Sequence, residues 1–248
     1  MSAWLEPLRE VLDRSTGPVA FFFRDDDAGW DDAHLQALLA LFDRHATPLD
    51  LAVIPTALGP VLSRQLRARL RATPELLGVH QHGYAHSNHE SSGRKCEFGI
   101  SRSRLAQRHD LESGATILRE QLAAPVDAIF TPPWNRCTET TVECLAELGF
   151  RALSRDRGAA RLDARGLCEL AVDVDWCKAF VAPAPLDALG SSLASAAAGG
   201  QPAGIMLHHA VMNDAQLEPL GELLRLLSRH PASRCSLMRE LALECQSQ

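Results

Sequence analysis

Apolar positions along this chain follow two alternating rhythms. Short runs rich in β-formers at about 18–24, 49–54, 76–82, 126–131, 150–154, 168–175 and 204–209 predict strands. Between them, apolar residues recur three and four apart, predicting helices at 31–45 (through Leu35, Leu38, Leu39 and Phe42), 59–72, 102–122, 138–148, 185–198 and 214–229. Residues 1–16 read as a further, amphipathic helix. Strands alternating with helices predict βα units around a parallel sheet, and seven such units without a compositional break predict one closed or nearly closed barrel, a single α/β domain over 1–248. Two polar stretches interrupt the rhythm, at 84–101 and, with a weaker claim to function, at 155–166; long loops in compact domains are usually functional. The small-residue tract 193–204 reads as a helix end and turn.

Composition narrows the class. With 46% hydrophobic residues, 23% charged and a net charge of -6, the chain gives no electrostatic reason to expect nucleic acid or an anionic membrane as partner. No run approaches the roughly 18 apolar residues needed to span a bilayer. The first residues carry Glu6, Arg9, Glu10, Asp13 and Arg14 and do not read as a secretion signal. Seven cysteines without a CxxC pair argue against a disulfide framework or a cysteine zinc site, and a reducing cytoplasm is the expected location.

Asp and His gather at the predicted strand ends, which in a parallel barrel converge on one face. The first strand runs into Arg24, Asp25, Asp26 and Asp27, three like charges that need a metal, an arginine or water among them. The third runs into His80, His82, His86 and His89; His82 and His86 are four apart, which on a helical turn places both on one side, and either Asp26 or Asp27 would complete an open three-ligand set. His80 and His89 read as supporting residues or substrate contacts. Asp173 and Asp175 share one face of a strand, and of the neighbours His208 and His209 only one can face the centre. Pro132 and Pro133 end the fourth strand beside Trp134.

Together, "DDAG", "HGYAH", "TPPW", "DVDW" and "IMLHH", in that order over residues 21–212, resemble the motifs of the polysaccharide deacetylases, the NodB-type carbohydrate esterases. The resemblance implies a distorted (β/α)7 barrel, NodB-like, that hydrolyses acetyl groups on sugars with one divalent metal, zinc expected and cobalt or nickel as alternatives. It further implies Asp26 as catalytic base, Asp27, His82 and His86 as ligands, and His208 as general acid, kept cationic by Asp173 or Asp175. The family arginine of the third motif is Thr131 here, and Arg24, in preference to Arg136, is expected to hold Asp26 ionised, with Asp25 facing solvent. Substrate contacts are expected at Trp134, Pro133, Trp176, Tyr84 and His209, with the loop carrying Arg94, Lys95 and Glu97 as a gate. The expected substrate is a small acetylated sugar or glycan intermediate; the oligomeric state is open. Two other readings compete. One is an amidohydrolase-type metal site on His80-x-His82; the other is a carbohydrate-binding protein on the same barrel without turnover.

Overall fold

The computed structural model describes residues 2–181 and 184–246. Its centre is a sheet of parallel strands: β1 (Val19–Ala28), β2 (Leu49–Val53), β3 (Leu77–His82), β4 (Ile129–Thr131), β5 (Ala152–Leu153), β6 (Cys168–Glu169), β7 (Val172–Asp175), β8 (Ala203–Leu207) and β9 (Ser233–Cys235). The order is β6-β5-β4-β3-β2-β1-β8-β7, with β9 also paired to β1. Around it lie α1 (Glu6–Arg14), α2 (Asp32–Arg44), α3 (Pro60–Ala72), α4 (Arg104–Leu122), α5 (Glu139–Glu147), α6 (Trp176–Ala179), α7 (Pro185–Ala198), α8 (Asp214–Leu227) and α9 (Met238–Gln246). This is the expected distorted (β/α) barrel. None of the described helices is long and apolar enough to cross a membrane.

Period-two alternation sorts β1 between two cores. Phe21 and Phe23 pack in the larger cluster with Leu35, Leu38 and Phe42 of α2 and Leu220 and Leu224 of α8. Phe22 points the other way, into a smaller cluster with Ile129, Ala152, Val172 and Met206, which Met238 and Leu241 of α9 close from below. Arg24 and Asp26 continue the Phe22 face toward the C-terminal end of the strand, and Asp25 continues the face toward the helices. Burial on both faces explains why β1 and β2 read as unbroken apolar runs and not as alternating ones.

The single strand predicted at 168–175 is two strands. β6 pairs with β5 and β7 with β8, so the chain crosses from one edge of the sheet to the other at Leu170 and Ala171. The gap between the edges is bridged by backbone: Val172 N–H donates to Arg155 O and Arg157 N–H to Val172 O, both at 2.9 Å. Strand β9 and helices α6 and α9 are additions the apolar rhythm did not signal. All seven cysteines are unpaired.

Candidate metal and catalytic centre

At the C-terminal end of β1 the backbone leaves the strand conformation: Asp27 has φ 68°, in the left-handed region that short polar side chains tolerate best. That turn takes the Asp27 carboxylate off the strand alternation and toward the end of β3. There Oδ1 lies 3.1 Å from His82 Nε2 and 3.2 Å from His86 Nε2. Asp27, His82 and His86 are the group of potential metal ligands found among the described residues, their donor atoms all within 4.8 Å of one another. His82 and His86 do not share a helical turn, as the spacing had suggested. His82 ends β3, and the chain reverses through Gly83 (φ 56°) and His86 (φ 53°), bringing the second ring back over the first.

The donor set fits a divalent cation. His82 Nδ1 lies 3.0 Å from the Thr131 carbonyl, to which it donates, so the lone pair of a neutral ring sits on Nε2, facing the carboxylate. Two electron-rich atoms at 3.1 Å call for a cation or a proton between them. Burial opposes charge on His82, but its hydrogen bond to Asp27 and the charges of Asp26 and Asp27 prevail and raise its pKa. A carboxylate and two imidazoles converging in this way are a donor set for a divalent cation.

Asp26, one residue earlier, stays on the inner face and is held by Arg24. Arg24 Nε donates to Asp26 Oδ1 at 2.7 Å and Nη2 to Oδ2 at 2.9 Å, a bidentate fork between two side chains that are 0% and 4% exposed. The same guanidinium donates from Nη1 to Ser154 Oγ (2.7 Å) and from Nη2 to Asn135 Oδ1 (2.8 Å), which fixes its plane. Burial alone would raise the Asp26 pKa, but the charge of Arg24, then those of His82 and His208, bring it down to about 2. Arg24, as expected, is the arginine paired with Asp26. Arg136 turns away and donates from Nη1 to Lys95 O at 2.8 Å.

Thr131 has its own part. Its buried hydroxyl meets His80 Nε2 at 2.9 Å, while its carbonyl holds His82. His80 lies outside the ligand group, and burial, followed by the nearby charge of Arg24, lowers its pKa to about 3, leaving it neutral. In this geometry His80 Nε2 is engaged by Thr131, and it is His86, not His80, that joins His82 and Asp27.

His208 follows β8 on the inner face, close enough to Asp26 for its charge to lower that pKa. No side-chain hydrogen bond or ion pair reaches its imidazole from the described residues. The expected carboxylate partners are engaged elsewhere: Asp173 pairs with Arg157 and accepts from Gly204 N–H, and Asp175 accepts from Lys178 N–H at the start of α6. Asp25 does not face solvent. It is fully buried on the helix side of β1, accepting from His209 N–H (2.9 Å) and pairing with His209 Nδ1 (2.6 Å), while His209 Nε2 donates to Trp30 O (2.7 Å). Burial disfavours the His209 cation, but Asp25 outweighs it and the pKa rises to about 9. His209 is thus not a substrate contact. Nor is Trp176, which is 0% exposed and packs edge-on against Trp4.

Trp134 does reach the centre, its ring centroid 4.5 Å from that of His86; Trp30, 42% exposed, also packs against His86, at 4.8 Å. Trp30 was missed because nothing near it in the sequence marks it apart from a surface residue. Pro133 is buried beneath the turn, and the half-buried Tyr84 ring packs toward the Phe98 and Phe130 cluster. Glu97, expected in a gate, is instead 1% exposed and accepts from three amides of one loop turn, Tyr84 (3.1 Å), Ala85 (2.8 Å) and Ser87 (3.2 Å). It ties down the turn that carries His86.

Beside this centre opens a cavity of about 850 Å³, lined by Trp134, Asn135, Asp173, Asp175 and the loop from Arg155 to Ala160. The first half of the second polar loop, residues 155–160, thus walls the cavity.

No protein-family model matches the sequence, and no curated protein matches it either. Solved structures do. The chain is similar to a family 4 acetyl xylan esterase from Clostridium thermocellum in complex with cobalt, at 12% identity over 91% of each chain with a TM-score of 0.61. It is also similar to a family 4 carbohydrate esterase from Streptomyces lividans in complex with acetate, at 14% identity over 90% of this chain and 93% of that one, TM-score 0.56. A third likeness is to a wild-type family 4 pseudoenzyme from Bacillus anthracis, at 12% identity over 92% of this chain and 66% of that one, TM-score 0.62. The fold is that of the family 4 carbohydrate esterases, which includes both active and inactive members.

Proposed function

We propose that the protein is a metal-dependent hydrolase that removes an acetyl group from an N-acetylated sugar or a related amide. The observation that carries this reading is the adjacency of two differently prepared carboxylates: Asp27 set against His82 and His86, and Asp26 forked by Arg24. A divalent ion held by Asp27, His82 and His86, zinc in the first instance, would polarise the acetyl carbonyl and lower the pKa of water.

The chain's own groups supply the rest. With a pKa near 2, Asp26 is ionised throughout the physiological range and can accept the proton of the attacking water. Arg24 orients it and, as that proton arrives, keeps its other oxygen engaged. The amide nitrogen leaves only if protonated, and His208, on the inner face near Asp26, is the acid available to it. The Trp134 backbone amide, at the turn above β4, is the candidate donor to the developing oxyanion. Trp134 and Trp30 flank His86 and offer apolar faces for a sugar ring.

The same fold holds a pseudoenzyme, so turnover has to be measured. Wild-type protein loaded with zinc should hold close to one ion per chain by elemental analysis and release acetate from N-acetylated sugars. His82→Ala and His86→Ala should each lose the ion. His208→Ala should keep it while losing at least about 100-fold in kcat, within the usual range for removal of a general acid. Metal retained in both ligand variants would overturn the centre, and metal lost in His208→Ala would overturn the acid assignment.

A further inference from the structure

The protein carries a net charge of -6, yet five cationic and three acidic side chains line the cavity beside the centre. Two of those cations are neutralised in place: Arg155 by Glu169 at 2.8 Å and Arg157 by Asp173. Asp156 lies near Arg24 and Lys178, and Asp175 caps α6. What remains is a group at the Trp134 end of the cavity, Arg94 and Arg136 on its wall with Lys95 between them in the chain.

None of the three makes an ion pair among the described residues. Arg136 spends one Nη on the Lys95 carbonyl, and its buried Nε has no hydrogen-bond partner. Burial, and after it the neighbouring charge of Arg94, pulls its pKa down. Two guanidiniums near enough to oppose each other, with the charge of Asp156 acting on Arg136 only at longer range and no carboxylate in ion-pair contact with either, form an arrangement that an external anion would stabilise. Each fork matches a carboxylate or a phosphate with two parallel donors. Lys95 Nζ lies 6.0 Å from the Trp134 ring centroid, and the His86 ring packs against the same tryptophan at 4.5 Å. One tryptophan therefore separates Lys95 from a proposed metal ligand, and Arg94 and Arg136 line the same cavity as that tryptophan. An anion bound there would belong to the same small molecule as the reacting amide.

We propose that the substrate of this centre carries an anionic group, a carboxylate or a phosphate, which Arg94, Lys95 and Arg136 bind beside Trp134. The proposal rests on the deacetylase reading of the centre and adds to it a substrate class, an acidic acetylated sugar in place of a neutral one.

The test uses the zinc-loaded protein and three probes that share one acetamido sugar: N-acetylglucosamine, N-acetylmuramic acid with its carboxylate, and N-acetylglucosamine 1-phosphate. Affinity by calorimetry and acetate release are measured for each. At least one anionic probe should bind about tenfold or more tightly than the neutral one, as a charge-assisted contact implies, and the advantage should shrink as salt rises. Whichever anion shows the larger advantage identifies the group. Arg94→Gln and Lys95→Gln, both at exposed positions, and Arg136→Lys should cut the anionic-to-neutral ratio of kcat/KM through KM, as expected for lost uniform binding. Equal affinity for all three probes, or a ratio untouched by the variants, overturns the proposal. The outcomes separate the two claims. Tight anionic binding without acetate release upholds the anion site and sinks the deacetylase reading; acetate release without anionic preference does the reverse.

Discussion

Arg24 sits two residues before the carboxylate it holds, on the same face of one strand, so the fork to Asp26 depends on no distant loop. In a site 0% and 4% exposed, an unpaired carboxylate would take up a proton at far higher pH. Arg24→Gln removes the charge and leaves the burial. The sign follows from that. In the wild type the Asp26 pKa is depressed to about 2, so the ionised form, and whatever stability the pair contributes, is present above the usual carboxylate range near 4 and is lost only as pH falls through 2. In Arg24→Gln both losses move to higher pH. The acid limb of the kcat/KM profile should move up by about four units, the size of shift open to a buried carboxylate that has lost its counter-charge, so turnover at pH 5 falls about tenfold below wild type, with a smaller deficit at pH 8. Zinc content measured on the same samples separates this from ligand protonation. An unmoved acid limb would remove Asp26 from the role of base.

At the scale of elements, the histidine turn shows what a sequence does and does not carry. The run of Asp26, Asp27, His82, His86 and His208 at strand ends was legible because parallel strands must present their C-terminal ends together. That Asp25 and His209 would find each other was also within reach, since both lie on the opposite parity to Asp26 and His208. Taken singly, neither residue names its partner, and an acid beside two others points to water. The partners of Asp173 and Asp175 were not legible, because they depend on where the 155–166 loop folds and on a strand that breaks at Leu170. Nor was Glu97, whose carboxylate is buried only because the three amides of the turn point at one spot. It holds His86 through backbone, as an outer-shell group, and such groups usually change metal affinity by 10 to 100-fold. Glu97→Gln replaces one accepting oxygen with an NH2 that cannot accept. Zinc affinity, measured by competition with a chelator, should fall by about tenfold, and excess zinc should restore most of the activity. Unchanged affinity would mean that the turn holds its shape without the latch.

Over the whole molecule the two ends of the barrel divide the labour. The centre and the basic cavity occupy the end where β1, β3 and β8 finish, while α9 closes the other, with Met238 and Leu241 filling the inner core beneath Phe22 and Met206. The start of α9 is fixed there by Asp50, which is 0% exposed and accepts from Met238 N–H at 2.9 Å; burial raises its pKa well above the ordinary carboxylate value. In barrels of this kind the lower face sets stability and the upper face chemistry. Leu241→Ala tests that division. The side chain is 2% exposed, so its truncation removes apolar contact and leaves a cavity, at a cost of about 2 to 4 kcal/mol in urea unfolding. The inner core nevertheless runs continuously from Leu241 through Phe22 to the face that carries Arg24 and Asp26. Two outcomes therefore differ in meaning. Full zinc occupancy and wild-type KM below the unfolding transition would show that the Arg24 fork and the ligand turns hold the upper face by themselves. A parallel fall in stability and zinc affinity would show that the geometry of the centre is set by packing from beneath, and that the polar contacts only complete it.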